Sequence, residues 1–222
     1  MSTPRPAPLP YPALCLVTDR HLARGRPLPD LVSEAVDGGV NVVQLREKDM
    51  PAGDLLALAT VIRDVTRKAK ALFLVNDRVD VALAVGADGV ELGEEALPVR
   101  AVRRIAGQQL LIGRSVHSLD GARDAEAQGA DFLVMGTIFP SGSHPGAVPA
   151  GPALLAQAQR EVRIPFLAIG GINATNVAQV MSQGAAGIAV ITAILDSEHP
   201  RQAARELKQA MATALREGLQ AH

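Results

Sequence analysis

The chain has 222 residues, 48% of them hydrophobic, enough to bury one substantial core and better suited to a single α/β barrel than to two full domains. A formal charge of −1, with acidic and basic residues spread along the length, excludes the basic footprint of a nucleic-acid binder. Apolar runs break well short of the roughly 20 residues that span a bilayer, so a membrane span is excluded and a soluble, cytoplasmic protein is expected.

Residues 1–12 (MSTPRPAPLPYP) alternate with proline and lack the apolar stretch of a secretory signal, which predicts a flexible or extended tail ahead of a barrel domain over 13–222. The first strand, Ala13–Val17, carries the lone Cys15, which reads as a small buried hydrophobe rather than a reactive thiol. Helices are expected over 28–38, 51–69, 78–85, 98–106, 118–128, 151–160, 173–182 and 200–218. Further apolar runs at Leu72–Val75, Leu110–Gly113 and Pro165–Ile169 supply strands between them.

The remaining strands belong to a short sentence written four times: Gly39–Leu45 (GVNVVQL), Gly86–Leu92 (GADGVEL), Gly129–Met135 (GADFLVM) and Gly184–Val190 (GAAGIAV). In each copy a glycine closes an Ala/Val-rich helix in the left-handed conformation and an apolar strand follows. The spacing corresponds to about two βα units. Eight such strands, apolar on both faces and separated by helices, predict a single-domain (β/α)8 TIM barrel. A doubly wound open sheet is the alternative, but no Gly-x-Gly-x-x-Gly follows the first strand.

In such a barrel the residues that end each strand converge on one face, and polar groups there are functional candidates. Gln44, Arg46 and Lys48 alternate at the end of the second strand and share one side if strand geometry persists. Arg offers a fork for two phosphate oxygens and Lys a compact charge, a pairing suited to phosphate or pyrophosphate; ion pairing with Glu47 and Asp49 is the structural alternative. Asn76 and Asp77 end the third strand, and Arg114, Ser115 and His117 the fifth. After strands seven and eight, Gly170 and Gly171 with Ile191 and Thr192 match the usual barrel phosphate site, where bare backbone and a short helix present N–H groups to an anion. The long loop from Gly136 to Gly151 has the composition of a lid or substrate-contact segment.

These motifs resemble the thiamine phosphate synthase/TenI superfamily from about Leu14 to Leu195: LVTD (16–19), VQLREKD (43–49), NDRVD (76–80), ADGVELG (87–93), SVHS (115–118), IFPSGS (138–143), AIGGI (168–172) and AVITAI (189–194). The resemblance implies a small phosphorylated substrate, with a thiazole phosphate held by Gly170, Gly171, Ile191 and Thr192. In the synthase branch, residues matching Gln44, Arg46, Lys48 and Asn76 hold the pyrophosphate of hydroxymethylpyrimidine pyrophosphate, and Asp77 matches a magnesium ligand. Departures fall at the chemistry: Ala96 stands where the family has a second metal-binding Asp, and Ser141-Gly-Ser143-His144 replaces a hydroxyl-plus-lysine loop.

The TenI-like thiazole tautomerases need neither metal nor pyrophosphate, and the Arg114–Leu119 segment looks more like theirs, with Arg114 suited to a substrate carboxylate. A tautomerase (isomerase) without cofactor is therefore the expected activity, with His144, Thr137, Ser115 and His117 as candidate catalytic residues and Ser141 and Ser143 as substrate contacts. The alternatives are a Mg2+-dependent synthase (transferase) and a catalytically silent thiazole phosphate binder. A homodimer is the assembly considered for such a barrel.

Overall fold

The computed structural model describes residues 6–142, 146 and 148–220, the side chains of 219 and 220 excepted. Eight parallel strands close into a barrel in chain order: β1 (Ala13–Val17), β2 (Val42–Leu45), β3 (Leu72–Asn76), β4 (Gly89–Leu92), β5 (Leu111–Val116), β6 (Phe132–Met135), β7 (Phe166–Ile169) and β8 (Gly187–Val190). β8 pairs back onto β1, which rules out the open sheet. Around them lie α1 (Leu28–Asp37), α2 (Ala52–Ala69), α3 (Val79–Ala84), α4 (Val99–Ala106), α5 (Leu119–Ala127), α6 (Pro152–Glu161), α7 (Val177–Met181), α8 (Thr192–Leu195) and α9 (Pro200–Gln220). Of the expected proline-rich tail, residues 1–5 lie outside the described residues.

Two boundaries move for physical reasons. The helix expected over 173–182 begins at Val177, because Asn173 Oδ1 accepts from the Thr175 N–H and Asn176 Oδ1 accepts from the Asn173 N–H. These side chains offer the backbone an alternative to the helix ladder. β5 runs beyond Gly113 to Val116, since Arg114 and Ser115 still pair with Leu133 and Val134 of β6. Polarity there marks the approach to the barrel mouth rather than the end of the strand.

Strands buried on both faces need apolar residues throughout, and Phe73 and Phe132 are among the largest side chains fully enclosed. A Cβ at Gly113 would run into the Phe132 ring, so the missing side chain makes room for that ring. The repeat glycines Gly39, Gly86, Gly129 and Gly184 all have positive φ, as the helix-stop reading requires.

The repeat has a second, unanticipated use at the N-terminal ends of the strands. Its third residue lies at the foot of each even strand, and its N–H donates to the odd strand before it: Asn41 to Leu14, Asp88 to Phe73, Asp131 to Ile112 and Ala186 to Phe166. In three copies the side chain returns the bond. The N–H groups of Leu14, Phe73 and Ile112 donate to Asn41 Oδ1, Asp88 Oδ2 and Asp131 Oδ2, each at 2.8 Å. A cation from a neighbouring helix completes each clamp. Arg63 of α2 grips Asp88 with two bonds and Arg103 of α4 pairs with Asp131 at 2.6 Å. Lys208 of α9 shares the Pro12 carbonyl with Asn41 Nδ2. The fourth copy, with Ala186, has no side chain to close the clamp.

Candidate active site

At the opposite end, the C-terminal ends of the strands surround a cavity of about 710 Å³. β2 ends at Leu45, so strand geometry does not continue through Lys48 as expected, yet Gln44, Arg46 and Lys48 all line the cavity. The ion pairing weighed as an alternative is absent: no described carboxylate pairs with Arg46 or Lys48. Glu47 is instead buried, accepting from the Thr18 hydroxyl at 2.8 Å and from Arg20 at 3.1 Å. Arg20 also grips Asp49 with two bonds of 2.7 Å, which holds that carboxyl down to about 2. Thr18 Oγ1 in turn accepts from the Arg46 N–H at 2.9 Å. Glu47 and Asp49 thus anchor the loop and leave both positive charges to the cavity.

The cavity floor is a chain of hydrogen bonds. Asn76 Nδ2 donates to Asp77 Oδ2 at 2.8 Å, and Gln44 Nε2 donates to Asn76 Oδ1 at 2.9 Å and to Glu91 Oε2 at 3.1 Å. The Ser115 hydroxyl donates to Glu91 Oε1 at 2.7 Å. Glu91, at 2% exposure, has no cation within hydrogen-bond reach. Burial pushes its carboxyl up to about 7, against the lowering pull of the Ser115 bond and of Arg46 and Arg114. Asp77 has left-handed backbone (φ 59°), and its Oδ1 accepts from the Gly93 N–H at 2.8 Å.

Across the cavity, Gly170 and Gly171 follow β7 and Ile191 and Thr192 follow β8, and all four line the wall together. Gly170 has φ 102°, and a Cβ there would lie 2.6 Å from Thr137 Cγ2. Asn176 Nδ2 fixes the Gly171 carbonyl at 2.9 Å. Thr192 begins α8, whose first N–H groups have no acceptor within the helix. The segment after β6 is tied to this wall by bonds from Ile138 to Ile169 and from Phe139 to Gly170. Thr137 and Ser141 therefore face the same cavity.

Arg114 does not. It is not among the cavity-lining residues, and its Nη2 donates to the Glu94 carbonyl at 2.9 Å, which braces the loop after β4. Alternation along β5 turns Ser115 toward the barrel interior and Arg114 to the other side of the strand. His117 lines the rim. Its Nδ1–H donates to the Gly136 carbonyl, which can only accept, and its Nε2 lies 3.6 Å from the Glu94 carboxylate. Ser143 and His144 lie outside the described residues.

No cluster of three or more His, Cys, Asp or Glu able to hold a metal occurs among the described residues. Magnesium does not need one, since it retains waters and is bound through one or two carboxylates plus substrate phosphates. Asp77 fits that pattern: each oxygen accepts one protein bond, and the side chain lines the cavity. Glu94 and Glu95 line the same rim, while Ala96 offers only a methyl group.

The expected set omits the two most deeply placed acids. Glu91 carried a signal, as a lone carboxylate inside an apolar strand (GVEL), where a buried charge demands partners. Glu47 carried none, because a buried brace and a surface ion pair look alike in REKD.

Residues 14–194 match the family described as thiamine monophosphate synthase. The chain is 47% identical over 206 residues to the thiamine-phosphate synthase of Methanoculleus marisnigri, covering 92% of this chain and 98% of that one. It is 43% identical over 215 residues to that of Roseiflexus sp. RS-1, covering 95% and 91%. Its fold is similar to the structure of thiamine phosphate pyrophosphorylase from Pyrococcus furiosus, with a TM-score of 0.85 and 42% identity over 91% of this chain and 96% of that one. These relatives overturn the expected tautomerase activity, whose sequence argument leaned on the Arg114–Leu119 segment. The chain belongs to the thiamine monophosphate synthase family.

Proposed function

We propose that the protein is a thiamine-phosphate synthase, joining hydroxymethylpyrimidine pyrophosphate to thiazole phosphate with release of pyrophosphate. The observation that carries this reading is that two sets of residues suited to anions line one cavity. Arg46 and Lys48, unpaired, face it from β2, and the backbone of Gly170, Gly171, Ile191 and Thr192 faces it from β7 and β8. One phosphorylated substrate needs one such wall. Two substrates brought together need both.

In this reaction the bond between the pyrimidine methylene carbon and the pyrophosphate oxygen breaks with its electron pair leaving on oxygen. The thiazole nitrogen lone pair then forms the new C–N bond, and no net proton transfer is required. Charge therefore grows on the leaving oxygens, where Arg46 supplies a fork and Lys48 a point charge. Asn76 and Gln44 complete that wall. Asp77, with pyrophosphate oxygens, would hold Mg2+, which when bound neutralises the leaving group. The amides at Gly170, Gly171 and Thr192 hold the thiazole phosphate, so that its ring nitrogen faces the methylene carbon. Ser141, on the segment after β6, lines the same cavity and would contact a bound substrate.

The test supplies both substrates with Mg2+ and identifies products by chromatography. Thiamine phosphate and pyrophosphate are expected in equal amounts, with none when either substrate is withheld. Absence of thiamine phosphate with both present would overturn the reading.

A further inference from the structure

Arg46, Glu47, Lys48 and Asp49 follow β2 with alternating charge, and such a run neutralises itself unless something separates its members. The separation comes from a different strand end. Arg20 begins a single turn of helix after β1 (Arg20–Leu22), and Asp19 fixes that turn by accepting from the His21 N–H at 3.0 Å. From there the guanidinium places Nη1 3.1 Å from Glu47 Oε2 and meets both oxygens of Asp49 at 2.7 Å. One planar fork thus spans three oxygens on two acids, a geometry that the compact ammonium of a lysine does not reproduce.

The two acids depend on this fork unequally. Glu47 is buried, and it keeps the Thr18 hydroxyl at 2.8 Å and the Arg20 backbone N–H at 3.2 Å whatever side chain stands at position 20. The Asp49 side chain is 60% exposed, and among the described residues its side-chain partners are Arg20 and, 3.4 Å away, His21. Without the fork, nothing holds the Asp49 carboxylate back from Lys48, its neighbour in the chain. A carboxylate on Lys48 weakens an anion site twice, by occupying a cation and by adding a negative charge beside the ligand. We infer that Arg20 is a positioning residue that holds the acids of this loop, Asp49 above all, away from Arg46 and Lys48, so that both cations stay open to the pyrophosphate. An exposed ion pair contributes little to stability, so the main effect of the Arg20–Asp49 pair falls on the cavity and not on the fold.

This role rests on the synthase reading for the identity of the anion, and its test reads binding, not turnover. Calorimetry with inorganic pyrophosphate and Mg2+, in mildly alkaline buffer where imidazole carries little charge, compares the full chain with Arg20→Ala, Asp49→Asn and the double variant. Arg20→Ala should weaken binding by about tenfold. Asp49→Asn should change it by less than about twofold while Arg20 is present, and should recover about fivefold once Arg20 is gone. A long-range charge effect is the same in both backgrounds, so the coupling between the two substitutions reports the release of Asp49. Arg20→Gln keeps a donor for Glu47 but gives up the charge, and it should show the same coupling even where Arg20→Ala fails to fold. Affinity for thiazole phosphate, which addresses Gly170, Gly171 and Thr192, should stay unchanged throughout and reports that the barrel is intact. A loss in Arg20→Ala that Asp49→Asn leaves uncorrected would make Arg20 a brace only and overturn the inference. Wild-type affinity in Arg20→Ala, or no binding of pyrophosphate by the wild type, would do the same. The coupling, observed in a protein that makes no thiamine phosphate, would instead sink only the synthase reading.

Discussion

The two ends of this barrel use carboxylates in opposite ways. At the N-terminal end, Asp88 accepts from Arg63 and from a strand N–H, and Asp131 from Arg103 and another, so each charge is matched by a cation and the bonds run between backbone segments. At the C-terminal end, Glu91 is more deeply buried but meets only Gln44 and Ser115, while the nearby cations Arg46 and Lys48 are left for a ligand. Paired charge holds a fold together, whereas unpaired charge of both signs in one cavity is costly for stability and useful for chemistry.

Substitutions should therefore separate cleanly. The largest expected effect is at the mouth: Lys48→Ala should lower kcat/KM by about 100-fold or more while leaving the melting temperature nearly unchanged. A matching loss of stability would show that Lys48 is structural and would blur the contrast.

The next effect is a pH dependence. The Glu91 carboxyl is raised from an ordinary 4.5 to about 7, so between those values the folded chain holds a proton that the unfolded chain has released. Stability should fall as pH rises through that window, with a slope of up to about 1.4 kcal/mol per pH unit, and the penalty is fully present above it. Glu91→Gln should remove this component. Melting curves of the two proteins across pH check it, and a constant difference between them would count against an uncompensated charge in the cavity floor.

At the other end, Asp88→Ala strands the Phe73 N–H and Arg63 together and should cost about 2 kcal/mol, since both groups retain some contact with water. That corresponds to a melting decrease of roughly 4–8 °C, with kcat/KM unchanged. The smallest effect sharpens the comparison from the opposite side. Ala186→Asn would supply the missing fourth clamp and should raise stability by about 0.5–1 kcal/mol, measured by urea titration.

Much of the cavity was legible because a βα barrel places every strand end on one face, so position in the repeat stands in for position in space. Gln44, Asn76, Ser115, Gly170 and Thr192 reach the cavity for that reason. Arg114 sits apart from Ser115 because alternation along a strand decides which of two adjacent polar residues faces inward, and their strand runs further than its apolar run. Glu47 was hidden because its partners, Thr18 and Arg20, come from a different strand end.

By itself, the order of apolar runs, glycine stops and loop motifs determined the barrel and the family resemblance, since these depend on local backbone preference and on burying both faces of each strand. Only the tertiary structure decided which acids are paired and which stand alone. Asp88 and Glu91 lie three residues apart in one copy of the repeat, yet one meets an arginine from α2 and the other faces the cavity. A charge takes its role from what is packed around it, and those neighbours come from distant parts of the chain.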